Sequence, residues 1–129
     1  MGTQTILIVE DEFLIRFMLA DSLRELGYQV LEAADGEEGF EILVSGQIID
    51  LLVTDVRMPG GVDGMELTRR SKSLAPVRPV IVCSADLFKS ESHPADEFLA
   101  KPYTIDALAG LIARLIGEPW QKSSQTHSA

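Results

Sequence analysis

The chain has 129 residues, of which 46% are hydrophobic and 24% are charged, and its formal net charge is −9. This length and composition predict one folded domain with a hydrophobic core, and they argue against a disordered chain. The negative charge disfavours nucleic-acid binding, no apolar run is long enough to span a membrane, and residues 1–5 lack a signal-peptide pattern. We therefore expect a cytoplasmic protein with neither a nucleic-acid nor a membrane partner.

Short apolar runs alternate with helical patterns along the whole chain. We predict strands over residues 5–9, 28–33, 49–54, 80–83 and 97–100, each short and mostly apolar, as expected for strands covered on both faces. This alternation predicts an α/β fold with a five-stranded parallel sheet and helices on both of its faces. In such a sheet, ligands bind at the carboxyl ends of the strands.

The intervening helices carry recognisable start and stop signals. Ile15, Leu19, Leu23 and Leu26 follow helical spacing ahead of Gly27. The other predicted signals are Asp35 with Glu38, Asp63 with Glu66, Gly46 as the end of the second helix, and Thr104 as the cap of the last. Residues 119–129 have no period and are interpreted as a flexible tail, which leaves residues 1–118 as the domain.

Polar residues follow four of the predicted strands where those strands end. In chain order they are Glu10, Asp11, Asp55, Ser84 and Lys101. Two like charges about 4 Å apart repel by roughly 4 kcal/mol at an effective dielectric near 20, so three carboxylates need a counterion. Oxygen ligands suit Mg²⁺, while the hydroxyl and the ammonium could contact phosphoryl oxygens. Any one of these residues alone is commonly structural, but their joint placement indicates phosphoryl transfer.

Four segments of the sequence resemble the receiver domain of bacterial two-component response regulators. They are ILIVEDE at residues 6–12, LLVTDVRMP at 51–59, VIVCSA at 80–85 and FLAKPY at 98–103. The resemblance covers about residues 4–117 and fits a single-domain regulator. It implies a flavodoxin-like doubly wound fold with strand order 2-1-3-4-5.

The resemblance also implies a role for each site residue. Asp55 would be the phosphoacceptor, Asp11 a direct Mg²⁺ ligand, Glu10 the holder of metal-bound water, Arg57 a ligand through its backbone carbonyl, Ser84 the switch hydroxyl, Lys101 the phosphate-contacting lysine and Phe98 the switch aromatic. It further implies a cis bond between Lys101 and Pro102. The donor would be a histidine kinase or a histidine phosphotransfer protein, and the output would be an unknown downstream protein or a phosphate sink.

Two departures from the family pattern stand out. The loop over residues 59–64 is one residue longer than usual, and the segment between Ser84 and Lys101 is several residues shorter. The second departure predicts that the fourth helix of the family is short, irregular or missing. We also hypothesise that Arg57 and Asp86 form a charge pair at the mouth of the pocket and set the phosphoryl lifetime.

The favoured function is that of a phosphoacceptor, which is not an enzyme in the usual sense. Two alternative functions compete with it. A Mg²⁺-dependent aspartyl phosphohydrolase usually needs an acid two residues after its nucleophile, and Arg57 stands there instead. A docking module that is never phosphorylated would not need Asp55, Ser84 and Lys101 together. Both alternatives are therefore less favoured than the phosphoacceptor.

Overall fold

The structure is a computed structural model that describes residues 3–85 and 94–119. Its elements in chain order are β1 (Thr5–Val9), α1 (Phe13–Leu26), β2 (Gln29–Ala33), α2 (Gly36–Leu43), β3 (Leu51–Asp55), α3 (Gly64–Leu74), β4 (Val80–Ser84), β5 (Glu97–Ala100) and α4 (Ile105–Ile116). All five predicted strands are therefore confirmed. Within these two ranges, no helix has the length and apolar character that crossing a membrane requires.

The five strands form one parallel sheet in the order β2-β1-β3-β4-β5, which confirms the predicted topology. Successive residues of a strand point to opposite faces, so β1 supplies both cores. Ile6 and Ile8 pack in the cluster that contains Leu23 of α1 and Leu108 of α4. Leu7 and Val9 pack on the other face, in the cluster that α2 and α3 cover with Leu43 and Leu67.

Side-chain caps begin three of the helices as the sequence predicts. The carboxylates of Asp35 and Asp63 accept the N–H groups of Glu38 and Glu66, and the Thr104 hydroxyl accepts that of Ala107, all within 3.0 Å. Gly27 ends α1 with φ of 118°, a left-handed conformation that glycine adopts without strain. These local signals fix where the helices start and hence where the strands emerge.

The boundaries of four elements differ from the prediction. β4 extends to Ser84, one residue beyond its predicted end. α2 ends at Leu43, not at Gly46, because Ser45 turns the chain back and both its N–H and its hydroxyl donate to the carbonyl of Ile42. β2 begins one residue later than predicted, since Tyr28 packs in the core and its N–H donates to the carbonyl of Leu23. β3 begins at Leu51, two residues later than predicted, and extends to Asp55, which therefore belongs to the strand.

Two predictions concern the connection between β4 and β5. The Lys101–Pro102 peptide bond is cis, as predicted. The segment predicted to lack a long helix falls largely on residues 86–93, which lie outside the described residues, as does Asp86. Residues 120–129, most of the predicted tail, also lie outside the described residues.

Candidate functional site

The polar residues predicted from the sequence meet at the carboxyl edge of the sheet. Glu10 follows β1, Asp55 is the last residue of β3, Ser84 is the last residue of β4 and Lys101 is the first residue after β5. Together with Asp11 they line a cavity of about 310 Å³. This is the edge at which doubly wound sheets bind their ligands.

Three carboxylates converge inside this cavity. Glu10, Asp11 and Asp55 each offer one oxygen, and these three oxygens all lie within 4.8 Å of one another. Glu10 and Asp55 are buried, with 4% and 8% of their surface exposed, whereas Asp11 is exposed. Buried like charges at this separation repel strongly, and a hard cation with oxygen ligands would remove the repulsion. The structure thus brings together the three side chains predicted to form a metal site.

The crowding perturbs the proton affinity of Glu10. Burial raises the pKa of Glu10 from 4.5 to about 7, and the hydrogen bond between its side chain and Asp55 acts in the same direction. The N–H of Glu12 donates to Glu10 Oε2 at 3.0 Å, and this bond offsets part of the increase in the pKa of Glu10. Near neutral pH the Glu10 carboxyl of the metal-free site is therefore protonated in a substantial fraction of molecules. A bound cation would displace this proton.

Lys101 supplies the positive charge of the site. Its Nζ lies 2.8 Å from Asp55 Oδ1 and 3.6 Å from Glu10 Oε1. Burial lowers the pKa of Lys101, but the hydrogen bond to Asp55 and the charges of both carboxylates outweigh burial and raise it above its usual value. Lys101 is therefore charged at neutral pH and holds one oxygen of the predicted acceptor.

The remaining predicted residues surround this centre. Ser84 is 8% exposed, and its carbonyl accepts the N–H of Lys101 at 2.8 Å. Arg57 is exposed and lines the cavity mouth, while Asp86, its predicted partner, lies outside the described residues. Phe98 is half-buried and packs into the core on the face of α2 and α3, where it lies beside Val82 of β4.

Two features beside the acceptor were not identified as functional from the sequence. Cys83 pairs with Asp55 across β3 and β4, and it lines a small void together with Asp55 and Tyr103. Phe13 and Met18 of α1 belong to a group of large apolar side chains that are exposed beside the cavity. A signal for the second feature exists in the run FLIRFM at residues 13–18, because five apolar residues in six exceed what one buried helix face can hold.

The doubly wound sheet of order 2-1-3-4-5 thus carries three carboxylates, a hydroxyl and a lysine at one edge, which is the arrangement that the sequence resemblance predicts for a receiver domain. The chain matches the family model of the response regulator receiver domain over residues 6–113, and it belongs to that family. It is thus a receiver domain of two-component signal transduction.

Curated relatives carry this domain within much longer proteins. Sensor histidine kinase RcsC of Salmonella typhi is 38% identical over 113 residues, which cover 84% of this chain but 12% of the kinase. The DNA-binding transcriptional regulator NtrC of Rhizobium meliloti is 32% identical over 126 residues, which cover 94% of this chain and 26% of that protein. The chain therefore spans about an eighth to a quarter of the length of these relatives.

Solved structures agree with the family assignment. Response regulator TrrA from Thermotoga maritima, in complex with Mg(2+)-BeF, superposes with a TM-score of 0.80 at 31% identity and covers 88% of this chain and 99% of its own. The receiver domain of the hybrid histidine kinase CckA has a TM-score of 0.75 at 39% identity, covering 87% and 98%. The similarity thus extends over nearly the whole of both solved chains.

Proposed function

We propose that Asp55 accepts a phosphoryl group from the phosphohistidine of a histidine kinase or of a histidine phosphotransfer protein. The observation that carries this proposal is the contact of 2.8 Å between Asp55 Oδ1 and Lys101 Nζ within a cavity that three carboxylates share. In the transfer, a carboxylate oxygen of Asp55 forms an O–P bond as the donor's P–N bond breaks. The imidazole nitrogen keeps the electron pair and takes up a proton.

We further propose that the site uses Mg²⁺. Asp11 and Asp55 would be direct ligands, Glu10 would hold metal-bound water, and the backbone carbonyl of Arg57 would complete the protein ligands. Every one of these donors is an oxygen, the ligand atom that Mg²⁺ prefers. When bound, the ion supplies positive charge that offsets the carboxylates and the incoming phosphoryl oxygens. The complex of TrrA with Mg(2+)-BeF supports this choice of metal by analogy.

The resemblance to receiver domains suggests a role for each of the other site residues. The ammonium of Lys101 contacts one phosphoryl oxygen, and the hydroxyl of Ser84 donates to another, so both stabilise charge that Asp55 alone cannot. Phe98, on the next strand, repacks as Ser84 moves toward the phosphoryl group. The phosphorylated domain then acts in the cytoplasm on a downstream protein, or it drains phosphate from its kinase.

The exposed apolar surface of α1 supports a protein donor. Phe13, Leu14 and Met18 are 61%, 69% and 64% exposed, and Phe17 stacks on Phe13 with 6.1 Å between ring centroids. Ile15 lines both the acceptor cavity and an adjoining groove that Met18 also lines. Contiguous exposed apolar surface marks protein contact sites, and this one adjoins the acceptor. A donor that covers α1 would bring its phosphohistidine to the cavity mouth.

Phosphorylation by acetyl phosphate, followed by intact mass, tests the proposal. We expect wild-type protein with Mg²⁺ to gain the mass of one phosphoryl group, and Asp55→Asn protein or chelator-treated protein to gain none. A phosphohydrolase would instead release phosphate from phosphomonoesters over many turnovers, and a docking module would gain no mass. Full mass gain in Asp55→Asn protein would exclude Asp55 as the acceptor.

A further inference from the structure

One positive charge interrupts the exposed apolar run of α1. Arg16 stands within FLIRFM at residues 13–18, and only 15% of its side chain is exposed. A charged side chain that is covered to this extent needs partners for its charge and for its N–H groups. The function proposed above gives Arg16 no role, so the reason for its burial must lie in the groups that it contacts.

The guanidinium of Arg16 joins the turn after β1 to β2 and to α1 itself. Its Nη1 donates to the backbone carbonyl of Glu10 at 2.8 Å, and its Nε donates to Glu32 Oε1 of β2 at 3.3 Å. The guanidinium carbon also lies 5.5 Å from the centroid of the Phe13 ring. Because the guanidinium is a planar group with donors in a fixed geometry, contacts with three different groups restrict both its position and its orientation.

The turn from β1 to α1 has little else to fix it. Among the four helices that the structure describes, α1 is the one whose N-cap side chain, that of Glu12, makes no capping hydrogen bond. At the start of the turn, the N–H of Glu10 donates to the carbonyl of Ala33 at 3.1 Å. Within the turn, the N–H of Glu12 donates to the Glu10 carboxylate at 3.0 Å. The bond from Arg16 therefore holds the turn from outside, where the other helices begin with a side-chain cap.

We propose that Arg16 is a positioning residue for the divalent cation site. Its bond to the Glu10 carbonyl fixes the stretch of backbone that carries the carboxylates of Glu10 and Asp11. Because this bond is made to a backbone oxygen, it would act on a cation through the placement of those two carboxylates. The expected effect on cation affinity rests on the proposed Mg²⁺ site, whereas the order of the turn can be measured without metal.

The charge of Arg16 and its hydrogen bond predict opposite effects on cation affinity. A positive side chain next to the site repels Mg²⁺, so removal of the charge alone would strengthen binding. Loss of the bond to the Glu10 carbonyl would let the turn move, and this should weaken binding. The direction of the change in Arg16→Met protein therefore separates positioning from electrostatic repulsion.

Calorimetric titration with Mg²⁺ measures this change. We expect Arg16→Met to raise the dissociation constant by about tenfold, the lower end of the range for groups that orient metal ligands. The matched control is Arg24→Met. Arg24 also pairs with Glu32, at 3.1 Å, but it donates to the carbonyl of Val30 at 2.7 Å rather than to that of Glu10.

The control loses the same charge and the same ion-pair partner as Arg16→Met, but it keeps the bond to the turn. We therefore expect Arg24→Met to bind Mg²⁺ about as tightly as wild type. Unchanged or tighter binding by Arg16→Met would overturn the proposal. Equal weakening in the two variants would overturn it as well, because the loss would then follow from the shared contact with Glu32.

Hydrogen exchange in metal-free protein separates order in the turn from overall stability. The N–H of Glu12 reports on the turn, and the N–H of Leu52, which donates to the carbonyl of Pro79 in the core, reports on global unfolding. Arg16→Met should speed exchange at Glu12 by a larger factor than at Leu52. Equal factors at the two positions would show that Arg16 contributes only to overall stability, and would contradict the positioning role.

Arg16→Lys tests the hydrogen bond at constant charge. Lysine keeps one donor head but loses the fork that reaches the Glu10 carbonyl and Glu32 together. Because its charge also repels Mg²⁺, any affinity that it recovers relative to Arg16→Met must come from the hydrogen bond. We expect partial recovery, and a dissociation constant as high as that of Arg16→Met would contradict the proposal. Wild-type protein that binds no Mg²⁺ would refute the proposed metal site instead, and exchange at Glu12 would then decide whether Arg16 holds the turn.

Discussion

Removal of the Glu10 charge should stabilise the metal-free protein above neutral pH. Glu10 is 4% exposed, and burial together with its hydrogen bond to Asp55 raises its pKa from 4.5 to about 7. A tenfold change in proton affinity corresponds to about 1.36 kcal/mol, so this shift amounts to about 3 kcal/mol. Glu10→Gln keeps the shape of the side chain and an oxygen that can accept the N–H of Glu12.

The sign of the pH dependence follows from proton binding in the two states. Below pH 4.5 Glu10 is protonated in both states, so its contribution to stability is fully present. Between pH 4.5 and about 7 the unfolded chain loses this proton while the folded protein keeps it, so stability falls as the pH rises. The difference in unfolding free energy between Glu10→Gln and wild type should therefore grow from near zero to about 3 kcal/mol at pH 8.

Urea unfolding in excess chelator from pH 4.5 to 8 measures this difference. Glu25→Gln is the matched control, because it removes one negative charge from exposed surface of α1 on a chain of net charge −9. Addition of Mg²⁺ should stabilise wild type and reduce the gap to Glu10→Gln. A difference that does not vary with pH, or a less stable Glu10→Gln at pH 8, would refute the electrostatic reasoning.

Three further predictions concern residues around the site and the base of the sheet. Gly64→Ala should lower the unfolding free energy by about 1–3 kcal/mol or more, because the Cβ of the new alanine would lie 1.8 Å from the carbonyl oxygen of Asp55. An unchanged midpoint of urea unfolding would contradict this close approach. Asp96→Ala should lower the unfolding free energy by about 1–3 kcal/mol in the same assay, since Asp96 Oδ2 accepts from Lys72 Nζ at 2.7 Å and from a backbone N–H of β4 at 2.8 Å. A change in unfolding free energy near zero would show that water replaces these bonds. Met18→Asp should slow transfer from a histidine kinase and leave the acetyl phosphate rate unchanged, and equal effects on both rates would argue against a docking role for α1.

Most of the site could be predicted because it depends on strand ends. In a parallel sheet the carboxyl ends of all strands meet at one edge, so residues next to those ends come together whatever the details of packing. Glu10, Asp55, Ser84 and Lys101 were identified in this way, although the ends of β3 and β4 were each placed one residue too early. An error of one residue did not matter, because Asp55 still lies at the same edge.

The contacts that the sequence did not predict depend on packing between distant elements. Cys83 of β4 and Tyr103 of the segment after β5 line one small void beside Asp55, and no local pattern encodes which distant side chains will meet. The helical stripe on α1 is another example. Leu23 is fully buried, but Ile15 and Leu26 are 38% and 39% exposed, because α4 and the sheet cover only part of that face. Periodicity predicts a helix, but neighbouring elements decide which of its apolar residues are buried.

The charges of the resting site explain why stability and function should be linked here. Three carboxylates and one ammonium leave two negative charges uncompensated at the sheet edge when all four groups are ionised, which equals in size the charge of one Mg²⁺. Until a cation binds, the protein bears this repulsion, which adds to the larger effect of burial in raising the pKa of Glu10. Substitutions that relieve the repulsion should therefore stabilise the metal-free fold and weaken cation binding together. A residue such as Glu10 that lowers stability at neutral pH is best explained by the ligand that its charge attracts.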